Sequence, residues 1–92
     1  MPTISWFYGI AIRMYFDDHP PAHFHALHSR DVALIEIDTG EIIRGRLRPT
    51  ETRRVKRWTL LHRDALMENW KLAQQGGNVE LKRIAGLDED DV

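Results

Sequence analysis

The chain has 92 residues, enough for one hydrophobic core and too few for two. Apolar residues make up 42% and charged residues 29%, the balance of a folded globular domain, which excludes collagen-like, wholly disordered and disulfide-scaffold classes. There is no cysteine, so no disulfide, no thiolate metal site and no cysteine nucleophile, and the net charge of -1 looks unremarkable.

That charge conceals two opposed blocks. Residues 44–57 carry Arg44, Arg46, Arg48, Arg53, Arg54, Lys56 and Arg57 against a single Glu51, while Asp88, Glu89, Asp90 and Asp91 crowd the end of the chain. The pattern fits an anionic partner, or an acidic tail that covers a basic face, and equally a solvated helix with a frayed end. Arg13 interrupts the first apolar stretch, and no basic leader precedes it, so it does not read as a signal peptide. No apolar run approaches the ~18 residues of a membrane span, and a cytoplasmic protein with no membrane partner is expected.

In chain order, Ile4, Trp6, Tyr8, Ile10, Ile12, Met14 and Phe16 alternate with Phe7, Gly9, Ala11, Arg13 and Tyr15. Period two over this length predicts one long strand with a bend or bulge at Gly9. Asp17-Asp18-His19-Pro20-Pro21 breaks it, because proline donates nothing to a sheet ladder. A short strand follows over 23–28, with His23, His25 and Leu27 on one face. A third strand spans 32–37, Asp38-Thr39-Gly40-Glu41 makes a hairpin turn, and a fourth strand returns over 42–47. Its Arg44, Arg46 and Arg48 share one face and its Ile43 and Leu47 the other.

Pro49-Thr50 opens a helical region, with Thr50 as N-cap and Glu51 in the first turn. Val55, Trp58, Leu61, His62, Ala65, Leu66, Asn69, Trp70 and Ala73 fall on one side of a 3.6-residue wheel, and Trp58 and Trp70 are core candidates. A single helix over 51–74 would be ~36 Å long. A domain of this size has a radius of gyration near ~12 Å. A break is therefore expected near His62-Arg63-Asp64, with Asp64 capping a second helix. Gly76-Gly77 ends the helical region, 79–84 reads as a last edge strand, and 88–92 as a disordered acidic tail. The fold class is α+β: one domain over 1–87, with a mostly antiparallel sheet of four to five strands covered on one face by a kinked helix or helical hairpin.

The sharpest chemical signal is the crowding of His19, His23, His25 and His28 into ten residues. His23 and His25, two apart on a strand, project the same way at roughly 6–7 Å spacing. His19 precedes a Pro-Pro turn that can fold it back, and Asp17 and Asp18 supply carboxylates nearby. Three chemistries compete with plain solvent exposure. His19, His23 and His25 suit a divalent transition metal. His23 and His25, with His19 or His62 as a third, suit general acid and base work on RNA without metal, since both protonation states are populated near neutrality. As a binding surface, the third, the histidines contact phosphate, and Arg44, Arg46, Arg53, Arg54 and Arg57 offer a basic face for nucleic acid. His62 lies on the apolar side of the helical wheel, where it either bonds a core carbonyl or joins the strand histidines.

Pro2-Thr3-Ile4-Ser5, Phe7-Tyr8-Gly9, His19-Pro20-Pro21-Ala22-His23-Phe24-His25-Ala26, Thr39-Gly40-Glu41, Trp58 to His62-Arg63 and Asn69-Trp70 together resemble the bacterial family known as domain of unknown function 4160. The resemblance runs from Met1 to about Leu87. The family's usual His-any-Pro-Pro-His-Phe-His appears here with the prolines shifted by one and the three histidines in register. The resemblance implies a small stand-alone protein, often encoded beside a second small protein of the family known as domain of unknown function 2442, in an arrangement similar to toxin–antitoxin pairs. It carries over no secure activity. Its matching positions are His19, His23, His25 and His62. The functional expectation is a component of such a pair whose histidine site acts on RNA. The alternative is a non-enzymatic metal- or nucleic-acid-binding accessory protein.

Overall fold

The structure is a computed structural model that describes residues 2–91. Five strands, β1 (Thr3–Phe7), β2 (Ile10–Arg13), β3 (His23–His28), β4 (Asp31–Glu36) and β5 (Ile42–Gly45), form one antiparallel meander in which each strand pairs with its neighbour in sequence. Three helices follow: α1 (Pro49–Leu61), α2 (Arg63–Ala73) and the short α3 (Leu87–Asp90). This is the α+β class expected, with a radius of gyration of 12.0 Å.

The long first strand is in fact a hairpin. Tyr8 and Gly9 take φ of +49° and +75°, two successive left-handed residues, and Phe7 pairs with Ile10 across them. Two positive φ values are the signature of the two-residue turn whose twist matches paired strands. Sequence alternation survives a two-residue turn, so the pattern alone did not separate a bend from a reversal. A register shift between Thr3 and Ser5 lets Ile4 and Phe7 both point inward, while Trp6, placed on the same alternating face as Ile4, is 59% exposed.

The core lies between one sheet face and the helices. Ile12, Phe24, Ala26, Ala33 and Ile35 come from the sheet, and Val55, Trp58 and Leu66 from α1 and α2. Trp58 is fully buried, with its ring centroid 5.0 Å from Phe7 and 5.6 Å from Phe24, and its indole N–H donates to the Ala85 carbonyl at 2.8 Å. Trp70 is only partly buried. The helical region breaks at His62, as length demanded, but its caps differ from expectation. Arg48 occupies the N-cap of α1 with Pro49 as the first helical residue, and His62, not Asp64, precedes α2. Proline's fixed φ suits a first helical position, where no amide is needed.

Three further expectations change. β5 stops at Gly45, whose φ of +77° breaks the alternation, so Ile43 is exposed while Leu47 is buried. A Cβ at Gly45 would stand 2.2 Å from the Val32 carbonyl oxygen, so close an approach that only glycine fits. Residues 79–84 form no strand: a single amide, Ile84 N–H, donates to the Ile4 carbonyl of edge strand β1 at 2.8 Å. The segment is held instead by the buried Asn69, whose amide donates to the Lys82 carbonyl at 2.7 Å and accepts its N–H at 2.9 Å. The acidic stretch, expected to be disordered, contains α3. Asp91 accepts from Tyr8 Oη at 2.7 Å and from Arg57 at 2.5 Å, and Asp90 lies 2.7 Å from His62 Nε2. Val92 lies outside the described residues. No described helix is long and apolar enough to cross a membrane.

Candidate metal centre

Asp17 sits at φ +54° and donates its backbone N–H to the Ala73 carbonyl at 3.1 Å, which pins the β2–β3 connection to the end of α2. The chain then turns through Pro20-Pro21 into β3. This brings Asp18 back over the start of the strand it precedes. Asp18, His23 and His25 each offer one ligand atom, and those atoms lie within 4.8 Å of one another. They line a cleft of about 450 Å³ with Tyr15, Phe16, Asp17, Leu34 and Arg44.

His23 is 5% exposed and fixed at both nitrogens. Nδ1 stands 2.8 Å from the Pro21 carbonyl oxygen, and Nε2 stands 3.0 Å from Asp18 Oδ2. A carbonyl only accepts, so Nδ1 carries a hydrogen. The neutral ring then aims the Nε2 lone pair at a carboxylate oxygen. That contact is favourable only with a second proton on the ring or a cation shared between the two atoms. A backbone carbonyl on one ring nitrogen, leaving the other for a metal, is the usual support of a ligating histidine.

His25 carries the second imidazole. Burial, and then the charge of His23 beside it, hold it below the ordinary histidine value, with Asp18 pulling the other way. That shift favours the neutral ring, the form that ligates metal. Its Nδ1 is buried with no hydrogen-bond partner among the described residues. Tyr15 meets the ring edge-on at 4.3 Å between centroids, and the two imidazoles are 5.7 Å apart. Trp70 of α2 packs on His23 at 5.3 Å and walls off its far side.

The remaining sequence candidates lie elsewhere. His19 is exposed and outside the ligand cluster; only its backbone N–H reaches Asp18, at 2.9 Å, and the aspartate takes the place foreseen for the histidine. His28, on the opposite face of β3, lies 4.0 Å from Glu51. His62 stacks near Trp58 at 5.5 Å, pairs with Asp90 and lines a different cavity. It joins neither strand histidine. The five arginines have different neighbours. Arg44 lines the histidine cleft, and Arg46 lies 3.8 Å from Asp31. Arg54 sits 4.3 Å over the Tyr8 ring, while Arg53 and Arg57 flank Leu60 and Leu61 on α1.

Arg44 shares the cleft through strand register. His25 pairs with Leu34, and Leu34 pairs with Arg44, so the three stand in one row across β3, β4 and β5. The 38–41 turn alone would set Ile43 opposite Leu34; an irregularity between Leu34 and Ile35 brings Arg44 there instead, and no sequence signal marked it. Tyr15 and Leu34 carried no sequence signal of a role here.

Searches of curated proteins and of solved structures find no match. A family model does match, over residues 9–71, a span that takes in every residue of the cleft and stops short of the segment that closes the fold. The chain belongs to the family described as a domain of unknown function, DUF4160.

Proposed function

We propose that this protein is a divalent-metal-binding protein whose centre is formed by Asp18, His23 and His25, with a coordination position open to the cleft. The observation that carries the reading is the His23–Asp18 contact, where an imidazole already committed at Nδ1 faces a carboxylate at 3.0 Å. Two ligands each ~2.1 Å from one ion stand ~3.0 Å apart when adjacent in an octahedron and ~3.4 Å apart in a tetrahedron. One ion fits between them with little movement. Structural zinc sites close with four protein ligands, whereas three protein ligands leave room for water or substrate. A bound ion would supply Lewis acidity and a readily ionised water.

Metal-free acid–base cleavage of RNA fits this geometry less well. General acid and base must each present a free ring nitrogen to the substrate, and both nitrogens of His23 are engaged. The test is calorimetry with zinc. Wild type is expected to bind about one equivalent, and Asp18→Asn and His25→Gln, with unchanged circular dichroism, are expected to bind at least tenfold more weakly. Equal heats for all three proteins would overturn the metal centre.

A second reading concerns partnership. Leu60 and Leu61 are exposed on α1 beside Arg53, Lys56 and Arg57, an apolar patch with a cationic rim that suits a protein partner. It favours the paired, toxin–antitoxin-like role that the family resemblance implies, with the adjacent gene's product as the partner, in a cytoplasmic protein with RNA as a target. Growth on expression alone and with the neighbouring gene tests it. Toxicity relieved by the neighbour supports the pair, and indifferent growth in both cases overturns it.

A further inference from the structure

The metal reading leaves the cleft's one cation without a task. Arg44 is exposed on β5, lines the cleft, and forms no ion pair among the described residues. Arg46 has Asp31, and Arg13, which pairs with His25 on the other side, directs its Nε to Thr3 Oγ1 at 3.3 Å. Leu34 lies between His25 and Arg44 in the row, so their backbones stand two strand spacings apart, ~10 Å. Leu34 gives this gap an apolar floor, and Asp17 adds a carboxylate to the lining. A group held here is met by a metal ion on one side and a guanidinium fork on the other.

Counting oxygens selects the group. The fork binds best through two parallel N–H···O bonds, and the metal takes one oxygen more. A carboxylate has two oxygens and satisfies one partner fully at the expense of the other. A phosphodiester has two free oxygens and meets the same limit. A phosphate monoester has three, one for the metal and two for Arg44, and its second negative charge strengthens its attraction to both cations, which outweighs the added repulsion from Asp17. We infer that the cleft recognises a phosphate monoester, bound between the Asp18–His23–His25 metal and the Arg44 guanidinium. This inference rests on the metal centre proposed above.

The experiment uses the full chain loaded with cobalt(II), whose visible spectrum responds to a change of ligand at the open position. Phenyl phosphate, dimethyl phosphate and acetate are titrated separately. Phenyl phosphate is expected to change the spectrum saturably and to bind at least tenfold more tightly than the other two. Arg44→Gln, an exposed substitution, is expected to bind cobalt as wild type does and to lose that preference. Arg44→Lys keeps the charge without the fork and is expected to lose it too. Acetate or dimethyl phosphate binding as tightly as phenyl phosphate would overturn the inference while leaving the metal centre standing. An Arg44→Gln protein with wild-type affinity for phenyl phosphate would do the same. Failure of cobalt to bind wild type more tightly than Asp18→Asn removes the metal centre itself, and this inference with it.

Discussion

The Pro21 carbonyl is a small feature with large authority, because it decides which nitrogen of His23 is left to face Asp18. Asn69 plays a comparable part for the fold. It is 1% exposed, and both ends of its amide are spent on the backbone of Lys82. Asn69→Ala leaves that N–H and carbonyl to find other partners and is expected to cost about 1–3 kcal/mol in urea unfolding. Zinc affinity should be unchanged, since Asn69 bonds Lys82 and lines no part of the cleft; a parallel loss of zinc binding would contradict this. Gly45→Ala combines a left-handed backbone with a Cβ that collides with the Val32 carbonyl. A loss of about 1–3 kcal/mol is expected, with a lowered melting midpoint as the readout.

At the scale of elements, α3 behaves as a charged clasp. Asp91 is held below the ordinary carboxylate value first by the Tyr8 hydroxyl and then by Arg57, and Glu89 first by the Gly86 N–H and then by Arg83. Both folded values are depressed, so the unfolded chain takes up protons first as pH falls. Their contribution is complete above the unfolded value near ~4 and is lost as pH falls through the folded values. The melting midpoint of wild type should therefore drop in that window more than that of Asp91→Asn/Glu89→Gln; parallel curves would show that the clasp adds nothing. Composition alone suggested a disordered tail, because four carboxylates in a row read as mutual repulsion. Tyr8, Arg57 and His62 come from far along the chain and only the tertiary fold assembles them, while Arg83 lies six residues before Glu89. β3, by contrast, was legible to the residue, since its bounds are set by Pro21 on one side and Ser29-Arg30 on the other. The strand over 4–16 was legible in type but not in topology, because a Tyr8-Gly9 reversal leaves the alternation intact.

For the molecule as a whole, a ligand that binds only the folded state adds stability by mass action, about 2.7 kcal/mol at a hundredfold excess over its dissociation constant. Zinc should raise the melting midpoint of wild type, EDTA should reverse the rise, and Asp18→Asn should show little of it. No rise in wild type would count against the centre. The site was half legible at this scale. His23 and His25 were marked by spacing on one strand, but Asp18 needed the turn, and Arg44 needed the register of two further strands.

The two sheet edges have a consequence for how these molecules meet one another. β1 is bordered by the irregular segment before α3, which takes one of its carbonyls through Ile84 and covers the core beside it. β5 is four residues long, carries Arg44, ends at a left-handed glycine and is followed at once by Arg46. Neither edge offers a neighbouring chain a long, straight row of free amides, so the meander resists growing into intermolecular sheet. Detaching the segment around Ile84 would uncover the β1 edge beside the exposed Trp6, and aggregation should begin there.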